Sequence, residues 1–244
     1  MNGWYKFLYV FLYPLAKLLF PCKVMDRYKY KKYDRGQIIL TNHLSWMDIL
    51  YVFFGLPNGL KRALSKKENK GGKFQTWLMK TIGVIFVDRE KPELSSMREC
   101  INALKGGDTL VIAPEGTRNR VNRELQPLHS GAAMFALKGN ARVVPYVIHH
   151  KGKLFHRNYV AVGDPVDLSD LFDKRVDEPA LNEATERFRT GMQKTLDKLD
   201  NWVLEKGWKK EKKKLKAEKK QNKILSAQYK KAKKAAYAKG NCSK

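Results

Sequence analysis

Residues 41–48 read Thr-Asn-His-Leu-Ser-Trp-Met-Asp, and His43 and Asp48 within them are the pair best equipped for proton chemistry. Imidazole titrates closer to neutral pH than any other side chain. A carboxylate beside it can fix its tautomer and hold its positive charge, which makes such a pair a general base. The spacing sets a structural condition. Residues five apart on a regular helix lie about 140° apart around its axis, so Asp48 meets His43 only if the histidine sits in a turn ahead of the helix. Ser45 is of the type that caps such a helix, with Asp48 three residues on in its first turn. A second reading needs no chemistry: Asp48 completes the cap and His43 is a surface loop residue. These eight residues alone support both.

Three further groups lie at or inside apolar runs whose ends are where α/β sheets place ligands. Asp88-Arg89 closes GVIFVDR, Glu115-Gly116-Thr117-Arg118 follows TLVIAP, and Pro145 lies inside Val143–Ile148. A turn containing Gly116 can turn backbone N–H groups outward, while Thr117 adds a hydroxyl and Arg118 a planar guanidinium, together a cradle for a phosphate. Glu115 is out of place beside an anion unless it accepts a hydrogen bond from a substrate hydroxyl or pins Arg118. Taken alone, these four residues fit a solvated turn equally well. His129, His149, His150 and His156 lack metal-ligand spacing and read as surface or strand-end residues. Cys22, Cys100 and Cys242 form neither a metal-type pair nor a disulfide framework, as expected in a reducing compartment.

The elements that must position these residues follow from the periodicity. Buried strands are predicted at Gln37–Thr41, Leu60–Ser65, Gly83–Val87, Thr109–Ala113, Val143–Ile148 and Tyr159–Val162. Between and after them come helices at Met47–Phe54, Gly72–Lys80, Ser96–Lys105 (ended by Gly106-Gly107), Ser130–Lys138 (stopped by Gly139) and Asn182–Leu199. This alternation predicts an α/β fold with a mixed, largely parallel sheet flanked by helices.

Both ends of the chain differ from this body. Residues 4–20 read WYKFLYVFLYPLAKLLF, with an apolar run from Phe7 to Ala16. That is short of the roughly 18–20 residues a spanning helix needs. Its Trp and Tyr residues suit the headgroup level, so residues 1–24 read as a helix lying in one leaflet; a buried core helix is the alternative. The α/β body is placed at 25–203 and a lysine-rich tail, helical or disordered, at 204–244. Over the whole chain, 49 Lys and Arg oppose 24 Asp and Glu, a net charge of +25. Such an excess selects anionic partners: acidic lipid, phosphate-bearing substrate or nucleic acid. Nucleic acid is not favoured, because the aromatics are not interleaved with the lysines of the tail. Lys61, Arg62, Lys66, Lys67, Lys70 and Lys73 form a basic run that suits either a solvated face or a surface for headgroups or thioester phosphates.

The motifs Asn42-His43-x-Ser45-x-x-Asp48, Gly83-x-Ile85-Phe86-Val87-Asp88-Arg89, Pro114-Glu115-Gly116-Thr117-Arg118 and Val144-Pro145-Tyr146-Val147-Ile148 are similar, in order and spacing, to those of the 1-acylglycerol-3-phosphate acyltransferases, the lysophosphatidic acid acyltransferases. The resemblance implies that His43 is the general base for the free glycerol hydroxyl and that Asp48 orients it. It implies that Arg89, Glu115, Gly116, Thr117 and Arg118 hold the glycerol phosphate. It further implies an acyl thioester of coenzyme A or acyl carrier protein as co-substrate, no metal or other cofactor, and a monotopic or peripheral place on the cytoplasmic face of an anionic membrane. No Gly-x-Ser-x-Gly elbow occurs, and an oxyester-forming base needs none. Ala113 and Asn119 depart from the family pattern, as does the stretch Leu128-His129-Ser130-Gly131, which lacks a lysine before its glycine. Three alternatives remain at this level: acylation of another lysophospholipid, hydrolysis of thioesters by the same pair, and a non-enzymatic basic protein that binds membrane or nucleic acid.

Overall fold

A computed structural model describes residues 3–30, 35–56, 61–81, 83–88, 93–119 and 124–206. The chain divides into two compact units, Met1–Leu199 and Asp200–Lys244. Of the second, residues 200–206 are described and helical, so the tail expected at 204–244 falls almost entirely outside the described residues.

In the first unit the described strands are Cys22–Met25 (β1), Gln37–Thr41 (β2), Lys61–Lys66 (β3), Ile85–Val87 (β4), Thr109–Ile112 (β5), Arg142–Ile148 (β6) and Asn158–Val162 (β7). They form one sheet in the order β1-β7-β6-β2-β5-β3-β4. Neighbours are parallel except β6 and β7, which run antiparallel. The helices are Gly3–Leu19 (α1), Asp48–Gly55 (α2), Lys73–Thr81 (α3), Leu94–Lys105 (α4), Gly131–Gly139 (α5) and residues 178–199 (α6). The mixed, largely parallel sheet flanked by helices therefore stands as expected.

β2 lies at the centre because all five of its residues are buried, as both-face coverage of a parallel strand demands. Ile39 stands beside Val111 of β5 and Val144 of β6. α6 buries Ala180, Ala184, Phe188, Met192, Leu196 and Leu199, a stripe at helical spacing. Its start is capped by Asp177, whose side chain accepts the Ala180 N–H at 3.1 Å.

Three helices end in the same left-handed stop, in which two N–H groups reach back to the last free carbonyls. In α4 the left-handed residue is Gly107, φ 84°, with Asp108 N–H on the Ala103 carbonyl at 2.9 Å. In α3 it is Gly83, φ 90°, with Val84 N–H on Met79 at 2.9 Å. Gly83 is thus a helix stop and not the first residue of a strand, and β4 starts at Ile85. In α5 the stop is Asn140, φ 45°, and Gly139 is still helical. Pro145 lies inside its strand, as the run Val143–Ile148 placed it, mid-strand in β6 and opposite Leu40. Its carbonyl accepts Gly163 N–H at 2.9 Å, so the N–H it lacks faces the side where the β7 ladder has already stopped.

Of the residues of α1 whose burial is described, 10–19, none is buried. Tyr13 meets Phe54 of α2 with ring centroids 5.9 Å apart, while Val10, Phe11, Leu12, Leu15 and Leu18 are exposed. Among the described residues no helix is long and apolar enough to cross a membrane. Gly36, just ahead of β2, marks a close approach of a different kind, because a Cβ there would overlap the backbone of Leu104 at the end of α4. Gly36→Ala is expected to cost about 1–3 kcal/mol by forcing that backbone apart, measurable by urea unfolding.

Candidate active site

β2 is flanked by β5 on one side and β6 on the other, so the chain segments leaving all three parallel strands converge at one edge of the sheet. This is the edge where open α/β sheets bind ligands. It brings together residues 42–48, 113–119 and 148–150.

His43 occupies the turn between β2 and α2, as the spacing required. Its Nδ1 lies 3.0 Å from Asp48 Oδ2. The same oxygen accepts the N–H groups of Leu44 and Ser45, both at 2.7 Å, and Asp48 Oδ1 accepts the Ser45 hydroxyl at 2.9 Å. Asp48 is buried, with an exposure of 2%, and this set of four donors is what makes a buried carboxylate tolerable. A carboxylate can only accept, so a neutral imidazole here carries its hydrogen on Nδ1 and its lone pair on Nε2. The His43 side chain is 31% exposed, accessible but not loose.

The cap differs in detail from the one expected. Met47 is the residue that precedes the helix, and Ser45 lies two positions earlier. Ser45 Oγ accepts Met47 N–H at 3.2 Å while donating to Asp48, and Asp48 reaches back to Ser45 N–H. Serine and aspartate thus exchange bonds in the manner of a capping box, shortened by one residue, and Asp48 holds the histidine as well.

The His43 backbone is held from the β5 side. Its N–H donates to Glu115 Oε1 at 2.9 Å, and its carbonyl accepts Asn119 N–H at 2.7 Å. Glu115 Oε2 accepts Gln126 N–H at 3.2 Å. Both oxygens of this buried carboxylate therefore serve backbone groups. Burial pushes its pKa up, and the two N–H donors work against that by favouring the ionised form. On the β6 side, Asn42 Nδ2 donates to the Ile148 carbonyl at 2.9 Å and Asn42 Oδ1 accepts Ile148 N–H at 2.8 Å. Asn42 extends the ladder with its side chain.

Gly116 adopts φ 74°, in the left-handed region, and its N–H closes a turn on Ala113 O at 3.1 Å. Thr117 and Arg118 follow it and are exposed, with the Thr117 hydroxyl donating to Gln126 Oε1 at 3.1 Å. The turn therefore presents a hydroxyl and a guanidinium outward while Glu115 faces inward. Asp88 lies at the end of β4, and Arg89 is outside the described residues. Lys66 ends β3 at the same edge and Lys67, Lys70 and Lys73 follow it, with Lys67 paired to Glu93.

Two residues here escaped the sequence reading as site-builders. Asn42 was legible as the first residue of the His43 motif but was given no role of its own, and Asn119 only as a departure from a familiar pattern. Asn119 is buried, and besides holding the His43 carbonyl it donates its side chain to the Glu124 carbonyl at 2.6 Å.

Residues 23–149 match the family described as Acyltransferase. The 1-acyl-sn-glycerol-3-phosphate acyltransferase of Bacillus subtilis is 31% identical over 172 residues, covering 68% of this chain and 84% of that protein. The Streptococcus pneumoniae protein of the same name is 24% identical over 69% of this chain and 64% of its own length. For that of Helicobacter pylori the identity is 31%, over 52% of this chain and 55% of its own. The chain thus spans less than two thirds of the length of some curated relatives. The crystal structure of the 1-acyl-sn-glycerophosphate (LPA) acyltransferase PlsC from Thermotoga maritima has the same fold, with a TM-score of 0.58 at 23% identity, covering 78% of this chain and 80% of that one. The chain belongs to the 1-acyl-sn-glycerol-3-phosphate acyltransferase family.

Proposed function

We propose that this protein transfers an acyl chain from a thioester to the free hydroxyl of 1-acylglycerol 3-phosphate, giving phosphatidic acid for phospholipid synthesis. The observation that carries the mechanism is the imidazole of His43, tethered at Nδ1 by Asp48 with its side chain 31% exposed. Nε2 takes the proton of the acceptor hydroxyl as its oxygen attacks the thioester carbonyl. Asp48 stabilises the resulting imidazolium. Collapse of the tetrahedral adduct breaks the carbon–sulfur bond, and the imidazolium returns the proton to the leaving thiolate. The products are an ester and a free thiol, with no protein nucleophile and no metal or other cofactor required.

The acceptor phosphate is assigned to Thr117 and Arg118, supported by their outward placement beside His43, and to Arg89 on the strength of the family resemblance. Gly116 shapes that turn. Glu115 acts behind it, as the link that ties the turn to the His43 backbone. The lysines after β3 offer a surface for the anionic donor, coenzyme A or acyl carrier protein. The exposed apolar face of α1 is assigned to one leaflet of an anionic membrane, on its cytoplasmic face.

A matrix of acyl donors against lysophospholipid acceptors, run on the full chain, tests this. The expected result is highest turnover with 1-acylglycerol 3-phosphate. Preference for an acceptor without a phosphomonoester would move the assignment to another lysophospholipid, and thioester cleavage without any acceptor would make the pair hydrolytic.

A further inference from the structure

The loop between β6 and β7 carries a feature the proposed chemistry does not use. Phe155 adopts φ 59°, a left-handed conformation that a bulky side chain rarely takes, and it is 67% exposed. Its neighbour Leu154 is also exposed, at 51%. Neither side chain is buried in the core, so core packing does not account for holding Phe155 in this conformation. The surroundings fix it firmly. Phe155 N–H donates to the Leu19 carbonyl at the end of α1 at 2.7 Å, and His156 closes the turn through its N–H on the Lys153 carbonyl at 3.2 Å and its Nδ1 at 2.9 Å from the Leu154 carbonyl. Lys151, Lys153, His156 and Arg157 are all exposed around this tip.

The loop is continuous with two parts of the molecule. Through Leu19 it abuts α1, whose Val10, Phe11, Leu12, Leu15 and Leu18 are exposed. At Gly152 its backbone lies against α2 and the motif before it: a Cβ there would stand 3.0 Å from the Tyr51 ring and 3.1 Å from Met47 Cβ. An apolar tip ringed by cations, beside an apolar helix, has the composition of a surface that meets anionic lipid, with rings in the interface and cations on the headgroups.

We infer that Leu154 and Phe155 form a wedge that enters the same bilayer as α1, with Lys151, Lys153 and Arg157 seated on acidic headgroups, so that the membrane is gripped immediately beside the His43–Asp48 turn. This rests on the reading of the chain as an enzyme of lipid acceptors held by α1. The geometry of Phe155 supplies a test that separates a wedge from a packing residue. Glycine accepts positive φ without strain, so Phe155→Gly relieves the backbone while removing the wedge.

The experiment is binding of the full chain to vesicles of phosphatidylcholine alone or with phosphatidylglycerol, alongside thermal melting and gel filtration. Phe155→Gly is expected to weaken binding to the anionic vesicles about tenfold, with a melting temperature equal to or above that of the parent. Lys151→Glu with Lys153→Glu is expected to abolish the preference for anionic over neutral vesicles. Phe11→Ser in α1 serves as the reference. If Phe11→Ser weakens binding and Phe155→Gly does not, the wedge is overturned while the membrane reading stands. If the parent chain binds no vesicles, both fall. A lowered melting temperature for Phe155→Gly assigns the ring to packing, and loss of a dimer on gel filtration assigns it to a second copy; either result overturns the proposal.

Discussion

Alanine at position 43 is expected to lower kcat/KM for acyl transfer by about 10²–10⁴-fold, the usual contribution of a positioned general base. The fold should survive. The bonds that anchor this turn are made by the His43 backbone and by Asp48, and alanine keeps the N–H to Glu115 and the carbonyl to Asn119. Melting within a few degrees of the parent, together with unchanged vesicle binding, separates a chemical loss from a structural one. Asp48→Asn is a sharper probe of the same turn. The amide oxygen can keep the three bonds made at Oδ2 while the amide nitrogen faces the Ser45 hydroxyl, which must turn to accept it, so the bond from Ser45 is reversed and the negative charge behind the imidazole is lost. Both activity and stability are expected to fall in that variant. Full activity in His43→Ala would remove the base from the mechanism.

The second large effect concerns stability and lies at the other end of β3. Lys61 is completely buried, and among the described residues its ammonium has no hydrogen-bond partner. Burial, with a smaller push from Arg27, drives its pKa down from 10.5 to about 8. In the unfolded chain the lysine keeps its proton up to about 10.4, so between the two values the unfolded state binds more protons than the folded one. Stability must therefore rise as pH climbs from about 8 towards 10.5, and the charged lysine weakens the fold below that window. Lys61→Met, of similar length and no charge, is expected to stabilise the protein by up to about 3 kcal/mol at pH 7. The gain should shrink as pH rises through that window, which urea unfolding at pH 7 and pH 10 would read. A pH-independent difference would mean that Lys61 is paired or hydrated and not a lone buried charge.

The parts of the fold legible from sequence were those whose signal is local. Gln37–Thr41 and Thr109–Ile112 are short, almost wholly apolar runs, and the helix-terminating glycine pair after Lys105 marks its own stop. The turn position of His43 followed from the number of residues to Asp48. β1 was missed because Cys22–Met25 has no alternation to read, and it becomes a strand only by pairing with β7 far along the chain. Glu115 was puzzling beside an anion for the same kind of reason. Its partners are backbone N–H groups, one of them 72 residues away, and no pattern of side-chain types announces a bond to a main chain. Gly83 and Asn140 show the limit at element ends, where left-handed stops override the apolar runs that suggested other boundaries.

The clamps on the His43 turn also bear on when the base comes into being. Its two sides are tied to residues 72 and 106 positions later, so β2 and α2 alone cannot hold it. A nascent chain has the histidine and aspartate early, but lacks the segments that lock them until β6 has emerged. Because such distant closures form late and slowly, acyl transfer should appear during refolding after helical content has returned. On the proposed mechanism the His43 turn is then a reporter of completed topology: a chain that turns over has closed its sheet.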